Sequence, residues 1–244
     1  MSKKNRPNER AARAAAALEA QQREERRRRN KMVGGVVLGL VVVVLAGWFL
    51  ANRLDTTDDV NAAAAGSGGQ YGVTIGPDDA PHKVVVYEDF LCPYCGELER
   101  ATRERIDALA SEGKVQVEYR PFDLLSRISD YSARAAGAFS IVLEESGPEV
   151  AKEFHDLLYD NQPSESGPFP ESSELADLAI EAGAGESVRD AIEGDDGAAW
   201  VEKATKAASD AGVQSTPTVI VDGKVFRDGR TVDELADNLI EQLQ

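Results

Sequence analysis

The sequence predicts an α/β domain carrying an inserted helical subdomain, preceded by a single transmembrane helix. Three observations carry this. A strand-like run, Lys83–Tyr87, leads into Cys92-Pro93-Tyr94-Cys95-Gly96 and then into helical periodicity. Helical spacing of apolar residues fills about 129–211, between a strand-like Val115–Arg120 and a strand opening at Thr216. Met32–Ala51 contains no charged residue, and its twenty residues, at about 1.5 Å each, match the roughly 30 Å of a bilayer's hydrocarbon core.

In chain order, residues 1–31 are rich in Ala, Arg and Glu, with Asn8 as a candidate cap for a helix over Glu9–Arg29. Its apolar positions are mostly Ala, so this basic tail is a solvated helix or a disordered segment attracted to anionic lipid. The first 53 residues carry a net charge of +8 and the remainder −24, against −16 overall. Such a split places the two ends in different environments.

The 32–51 run is apolar on every face, which argues against a buried core helix. A cleaved signal peptide is the rival reading, with Ala62–Ala65 as a conceivable cleavage stretch. Against it stands the long leading segment, well beyond the usual short n-region. We therefore expect an uncleaved signal anchor. Arg26–Arg29 and Lys31 precede the run, while Asp55, Asp58 and Asp59 follow it. That asymmetry keeps the N-terminus cytoplasmic and puts the C-terminal domain outside, in an oxidising compartment. The topology already accounts for the arginines, so no nucleic-acid partner is expected. Residues 52–70, with Gly66-Ser67-Gly68-Gly69, read as a flexible linker.

The domain spans 71–244. Val73–Pro77 reads as a short edge element ended by Gly76-Pro77. Lys83–Phe90 is a strand buried on both faces and central in a sheet. Gly96–Ala110 is a helix with Cys95, Leu98, Thr102, Ile106 and Leu109 on one face, stopped by Gly113. Val115–Arg120 alternates as a half-buried strand ended by Pro121. Five helices follow, over Ser129–Glu145, Pro148–Asn161, Ser172–Ala182, Glu186–Glu193 and Asp195–Ala211. Thr216–Val221 is a strand, Asp222-Gly223 a hairpin turn and Lys224–Phe226 its return. Thr231–Gln244 is a helix with a capping box of Thr231 and Glu234.

Cys92 and Cys95 are the only cysteines. A structural disulfide between them would close a loop too short to constrain the unfolded chain much. A zinc site needs about four ligands, and His82 and His155 lack finger-like spacing from the pair. The redox reading has a physical basis. Cys92 falls at a helix N-terminus, where free N–H groups and the macrodipole favour a thiolate. Pro93 suits the first helical position. Cys95, one turn on, is less exposed and can reach back as the resolving thiol. A Cys92 deeply enclosed, or remote from Pro217, would count against this reading.

The order of elements resembles the thioredoxin fold with a helical insertion, as in the DsbA-like thiol-disulfide oxidoreductases. Cys92-Pro93-Tyr94-Cys95 together with Thr216-Pro217-Thr218 and the following Val-Ile-Val-Asp-Gly carry the likeness, over about 71–244. The resemblance implies a cis Pro217 against the cysteines, and Thr216 offering backbone hydrogen bonds to a polypeptide client. It implies no cofactor beyond the Cys92–Cys95 disulfide and no metal. The implied partners are reduced or misoxidised secreted proteins and a membrane protein that reoxidises the pair. The family's well-known oxidant has His where this chain has Tyr94, and glutaredoxins share the Pro-Tyr pair. Losing that His removes one stabiliser of the Cys92 thiolate. Thioredoxin-like proteins often place a buried acid where this chain has Val86. Glu88 and Asp89 are the nearest acids, either proton relays for Cys95 or plain strand-end charges. The expected activity is extracytoplasmic disulfide exchange, most simply in the oxidising direction. A reductase or isomerase, or a binding module with a structural disulfide, is the alternative.

Overall fold

The computed structural model describes residues 70–244. The expected basic tail, the anchor over 32–51 and nearly all of the linker lie outside the described residues. No helix among the described residues is long and apolar enough to cross a membrane.

Five strands form one sheet in the order β1-β3-β2-β4-β5. They are β1 Val73–Ile75, β2 His82–Glu88, β3 Val115–Pro121, β4 Thr218–Val221 and β5 Lys224–Phe226. The central strand β2 runs parallel to β3, with Val84 opposite Val117, and antiparallel to β4, with Val86 opposite Val219. Between β2 and β3 lies α1, Pro93–Ser111. Between β3 and β4 come α2 Tyr131–Ser146, α3 Pro148–Asp160, α4 Ser172–Glu181, α5 Val188–Glu193 and α6 Ala198–Asp210. The chain ends on α7, Val232–Gln242.

Period-two alternation sorts the strands between two cores. Val84, Val86, Val117, Tyr119, Val219 and Val221 pack with Leu98 and Ile106 of α1 and with Leu239 and Ile240 of α7. On the other face Tyr87 and Ile220 pack with Phe122, Ala208, Ala211 and Val213. The expected stripe on α1 is buried throughout, from Cys95 to Leu109. At the β4–β5 turn Asp222 and Gly223 both take positive φ, 50° and 78°, the geometry that matches a right-twisted hairpin.

Two expectations need correction. The polar side of β3 is not solvated, since Glu118 and Arg120 are both buried. The strand has neighbours on both edges, and Arg120 lies beside Ala204, Ala207 and Ala208 of α6. The capping box at α7 is only half formed. Thr231 Oγ1 accepts from Glu234 N at 3.1 Å, but the Glu234 carboxylate accepts from Arg230 N at 2.8 Å, one residue too early. A complete capping box stands instead at α4, between Glu171 and Glu174.

Candidate functional site

Cys92 is the N-cap of α1, in extended backbone with φ −70° and ψ 116°, and Pro93 opens the helix. Its carbonyl accepts from Cys95 N at 3.1 Å and Gly96 N at 3.3 Å, and its own N–H donates to Asp89 O at 2.9 Å. The side chain that usually caps such an end is here a thiol. Both cysteines are free thiols. Across from them the Thr216–Pro217 bond is cis, and the Thr216 carbonyl lies 3.5 Å from Cys92 Sγ. Residues 92, 95, 216 and 217 are thus brought together from α1 and the entry to β4. Pro93 and Tyr94 form an exposed rim, with Tyr94 62% exposed.

The anticipated contrast in exposure between the two thiols is small. Cys92 is 5% exposed and Cys95 2%, so the enclosure of Cys92 counts against the redox reading while its approach to the Thr216–Pro217 turn counts for it. The Thr216 carbonyl stands against the Cys92 sulfur and the buried Phe90-Leu91 turn precedes it. The larger contrast is electrostatic. A hydrogen bond from the Cys95 thiol, joined by bonds from the Thr216 side chain and from the Cys95 and Tyr94 backbone, overrides burial and lowers the Cys92 pKa to about 6. Burial first, then donation to Cys92 and the negative charge there and on Glu88, drive Cys95 well above the ordinary thiol range. Adjacent groups pushed apart in this way divide into a thiolate and a proton-holding partner.

Neither Glu88 nor Asp89 is a solvated strand-end charge; both are buried. Asp89 ties loops together. Oδ1 accepts from Leu91 N at 2.8 Å, and Oδ2 accepts from Leu124 N at 2.8 Å, Leu125 N at 3.0 Å and the Ser132 hydroxyl. Burial outweighs these bonds and raises its pKa. With its oxygens so engaged, Asp89 is poorly placed to carry protons. Glu88 faces inward and its Oε1 lies 2.7 Å from His155 Nε2. A cavity of about 10 Å³, room for about one water, lies between Glu88, Cys95, Glu99, Tyr119 and Pro217. Val86 lines the same cavity, and Glu88 and Glu99 supply the acids that its position lacks.

Sequence reasoning weighed His155 only as a zinc ligand and missed its place beside Glu88. It is fully buried on α3 and sandwiched between carboxylates, with Nδ1 2.9 Å from Asp156 Oδ1. Two carboxylates at the two ring nitrogens make both nitrogens donors, so the ring is an imidazolium. Burial disfavours that charge, but Glu88, Asp156 and Glu99 outweigh it and push the His155 pKa up to about 10. Asp156 is held down at about 2 despite its burial, by His155 and Lys152. Lys152 Nζ donates to both Asp156 oxygens at 2.6 and 2.7 Å, and Arg103 Nε to Glu99 at 3.2 Å. Glu99, His155 and Asp156 converge closely enough to ligate a metal. Lys152 and Arg103 already neutralise those carboxylates, and both His155 nitrogens are committed. The other histidine, His82, pairs with Asp222 Oδ2 at 2.9 Å.

These features have counterparts in known proteins. The family model described as thioredoxin matches residues 69–241. The chain is similar to the reduced disulfide bond oxidoreductase DsbG of Mycobacterium tuberculosis, at 32% identity and a TM-score of 0.62 over 75% of this chain and 90% of that one. Oxidised DsbA of the same organism is 31% identical, with a TM-score of 0.56 over 68% of this chain and 98% of its own. Disulfide bond formation protein D of Bacillus subtilis is 25% identical over 192 residues, 77% of this chain and 85% of that protein. A further match, to serine/threonine-protein kinase PknE of Mycobacterium tuberculosis, is 30% identical over 119 residues, and the chain spans only 21% of that kinase's length. The chain therefore belongs to the thioredoxin family and, within it, to the DsbA-like protein disulfide oxidoreductases.

Proposed function

We propose that the enzyme oxidises secreted or cell-envelope proteins through a Cys92–Cys95 disulfide, outside the membrane to which residues 32–51 anchor it. The observation that carries this reading is the electrostatic split between the thiols, about 6 for Cys92 and a raised value for Cys95. A stabilised thiolate stabilises the reduced enzyme, and a stabilised reduced state makes the disulfide form the stronger oxidant.

A client thiolate attacks Cys92 Sγ, the Cys92–Cys95 bond breaks, and Cys95 leaves with the bonding electrons and takes up a proton. A second client thiolate then attacks the client sulfur of the mixed disulfide. Cys92 departs as a thiolate, and the client has lost two electrons to the enzyme. Thr216 and Pro217 flank Cys92, and the backbone of Thr216 bonds the client as an added strand would. Regeneration passes two electrons and the Cys95 proton to a membrane oxidant of the quinone-linked class, the second proton for its reduction coming from solvent.

Cys92→Ser should abolish oxidation of a reduced test protein; unchanged activity would remove the enzyme reading of this pair. Equilibration with glutathione fixes direction. A potential near −120 to −180 mV fits an oxidant, whereas about −270 mV would make the enzyme a reductant. After intact cells are treated with a membrane-impermeant reductant, labelling of Cys92 by a membrane-impermeant thiol reagent tests the placement, and protection until lysis would refute it.

A further inference from the structure

Gln162 lies in the inserted subdomain, two residues beyond the end of α3. Its side-chain amide nitrogen donates to Cys92 O at 2.8 Å and to Phe90 O at 3.0 Å. A carboxamide has two donor hydrogens, and both are spent on carbonyls that bracket the turn into α1. Cys92 O is also the acceptor of the first intrahelical bonds, from Cys95 and Gly96. The bond from Gln162 therefore fixes the orientation of the N-cap peptide itself. Gln162 is in turn held by its own N–H, which donates to Tyr159 O at 3.4 Å, and Arg100 Nη1 donates to the same carbonyl at 3.2 Å.

Gly96 supports the same assignment independently. No positive φ requires glycine there, because Gly96 lies within α1. Space does. A Cβ on Gly96 would fall 2.2 Å from Gln162 Oε1 and 2.9 Å from Arg100 Nη1. The glycine after the second cysteine is the seat of the Gln162 carboxamide.

We propose that Gln162 is a positioning residue for the dithiol. By pinning the Cys92 and Phe90 carbonyls from the helical insertion, it fixes the turn that carries Cys92 Sγ at the head of α1 and so maintains the thiolate. This rests on the function proposed above only in supposing that the Cys92 thiolate is the reacting group.

The test is the pH dependence of Cys92 alkylation by iodoacetamide in the reduced full-length protein, for Gln162→Ala, Gly96→Ala and the double variant. Gln162→Ala removes the donors, and Gly96→Ala displaces them while adding a better helix former. Each single variant should raise the midpoint by about 0.5–1 pH unit, a roughly 3- to 10-fold slower alkylation below it. The double variant should go no further than either single, since both remove one interaction. Midpoints equal to wild type in both single variants overturn the proposal, as does full additivity in the double. Should Gln162→Ala fail to fold, Gly96→Ala decides alone. The readout needs no client, so failure of the oxidase reading, seen with Cys92→Ser, is separable from failure here.

Discussion

Under α6, Arg120 and Glu118 meet fork to fork. Nε and Nη2 donate to the two carboxylate oxygens at 2.7 Å each, and Nη1 donates to Tyr87 OH at 2.7 Å. Under α1, on the opposite face of the sheet, the buried charges form a chain. It runs from Glu88 through His155 to Asp156, Lys152 and, within 3.9 Å of Lys152, Glu99. The first cluster pairs one buried cation with one buried carboxylate and a tyrosine hydroxyl. The second has an end, Glu88, that shares a cavity with Cys95 and raises its pKa. Burying charge is costly in either place. Only on the α1 side does the charge bear on the thiols.

The largest expected effect is at His155. His155→Ala strips the cation from Glu88 and Glu99 while leaving them buried, and should cost about 3–5 kcal/mol in denaturant unfolding. In the wild type this contribution has a defined pH window. The folded pKa lies above the unfolded one, so the stabilisation is complete below about 6.5 and is lost as pH rises through about 10. A His155→Ala protein as stable as wild type at pH 6 would erase the distinction between the two faces.

A smaller net effect should come from the other face. Arg120→Leu alone should cost about 3 kcal/mol by removing the cation paired with the buried Glu118 carboxylate, whereas the double Glu118→Leu/Arg120→Leu should return to within about 1–2 kcal/mol of wild type. In both, the midpoint for Cys92 alkylation should stay where it was. Any movement of that midpoint would show that the α6 face reaches the thiols after all. The smallest effect is a profile of the unmodified protein. Cys92 alkylation should rise with pH through about 6 and level off, while Cys95 stays unreactive across the same range. The lowered Cys92 value also means that the reduced enzyme gains stability as pH rises from about 6 toward the ordinary 9.0, and loses it again on acidification. The oxidised enzyme, which has no thiols to titrate, should show no such gain.

Periodicity made most of the fold legible. The helical block falls within two or three residues of its expected boundaries, because each helix carries an apolar stripe and is separated from the next by Gly, Pro or Ser clusters. The dithiol and the Thr216-Pro217 turn were legible as motifs. The buried charges were not. Glu99 follows Cys95 at helical spacing and precedes Thr102 and Ile106 on the same inward side, and His155 follows Ala151 and precedes Leu158 on α3. A charged residue in phase with an apolar stripe was the available signal for both. Glu118 and Arg120 alternate with apolar neighbours as a solvated strand face would. The packing of α6 beside Arg120 helps make that face interior. Gln162 sits beyond a helix end, where no periodicity reports on partners.

The Asp89 carboxylate spans Leu91, Leu124, Leu125 and the Ser132 hydroxyl at the start of α2, and Gln162 reaches the same turn from the far end of α3. The inserted helices are thereby riveted to the reactive turn at two separate points. They brace that turn from two sides. A client in the proposed reaction would therefore meet a sulfur whose turn is anchored to both ends of the insertion.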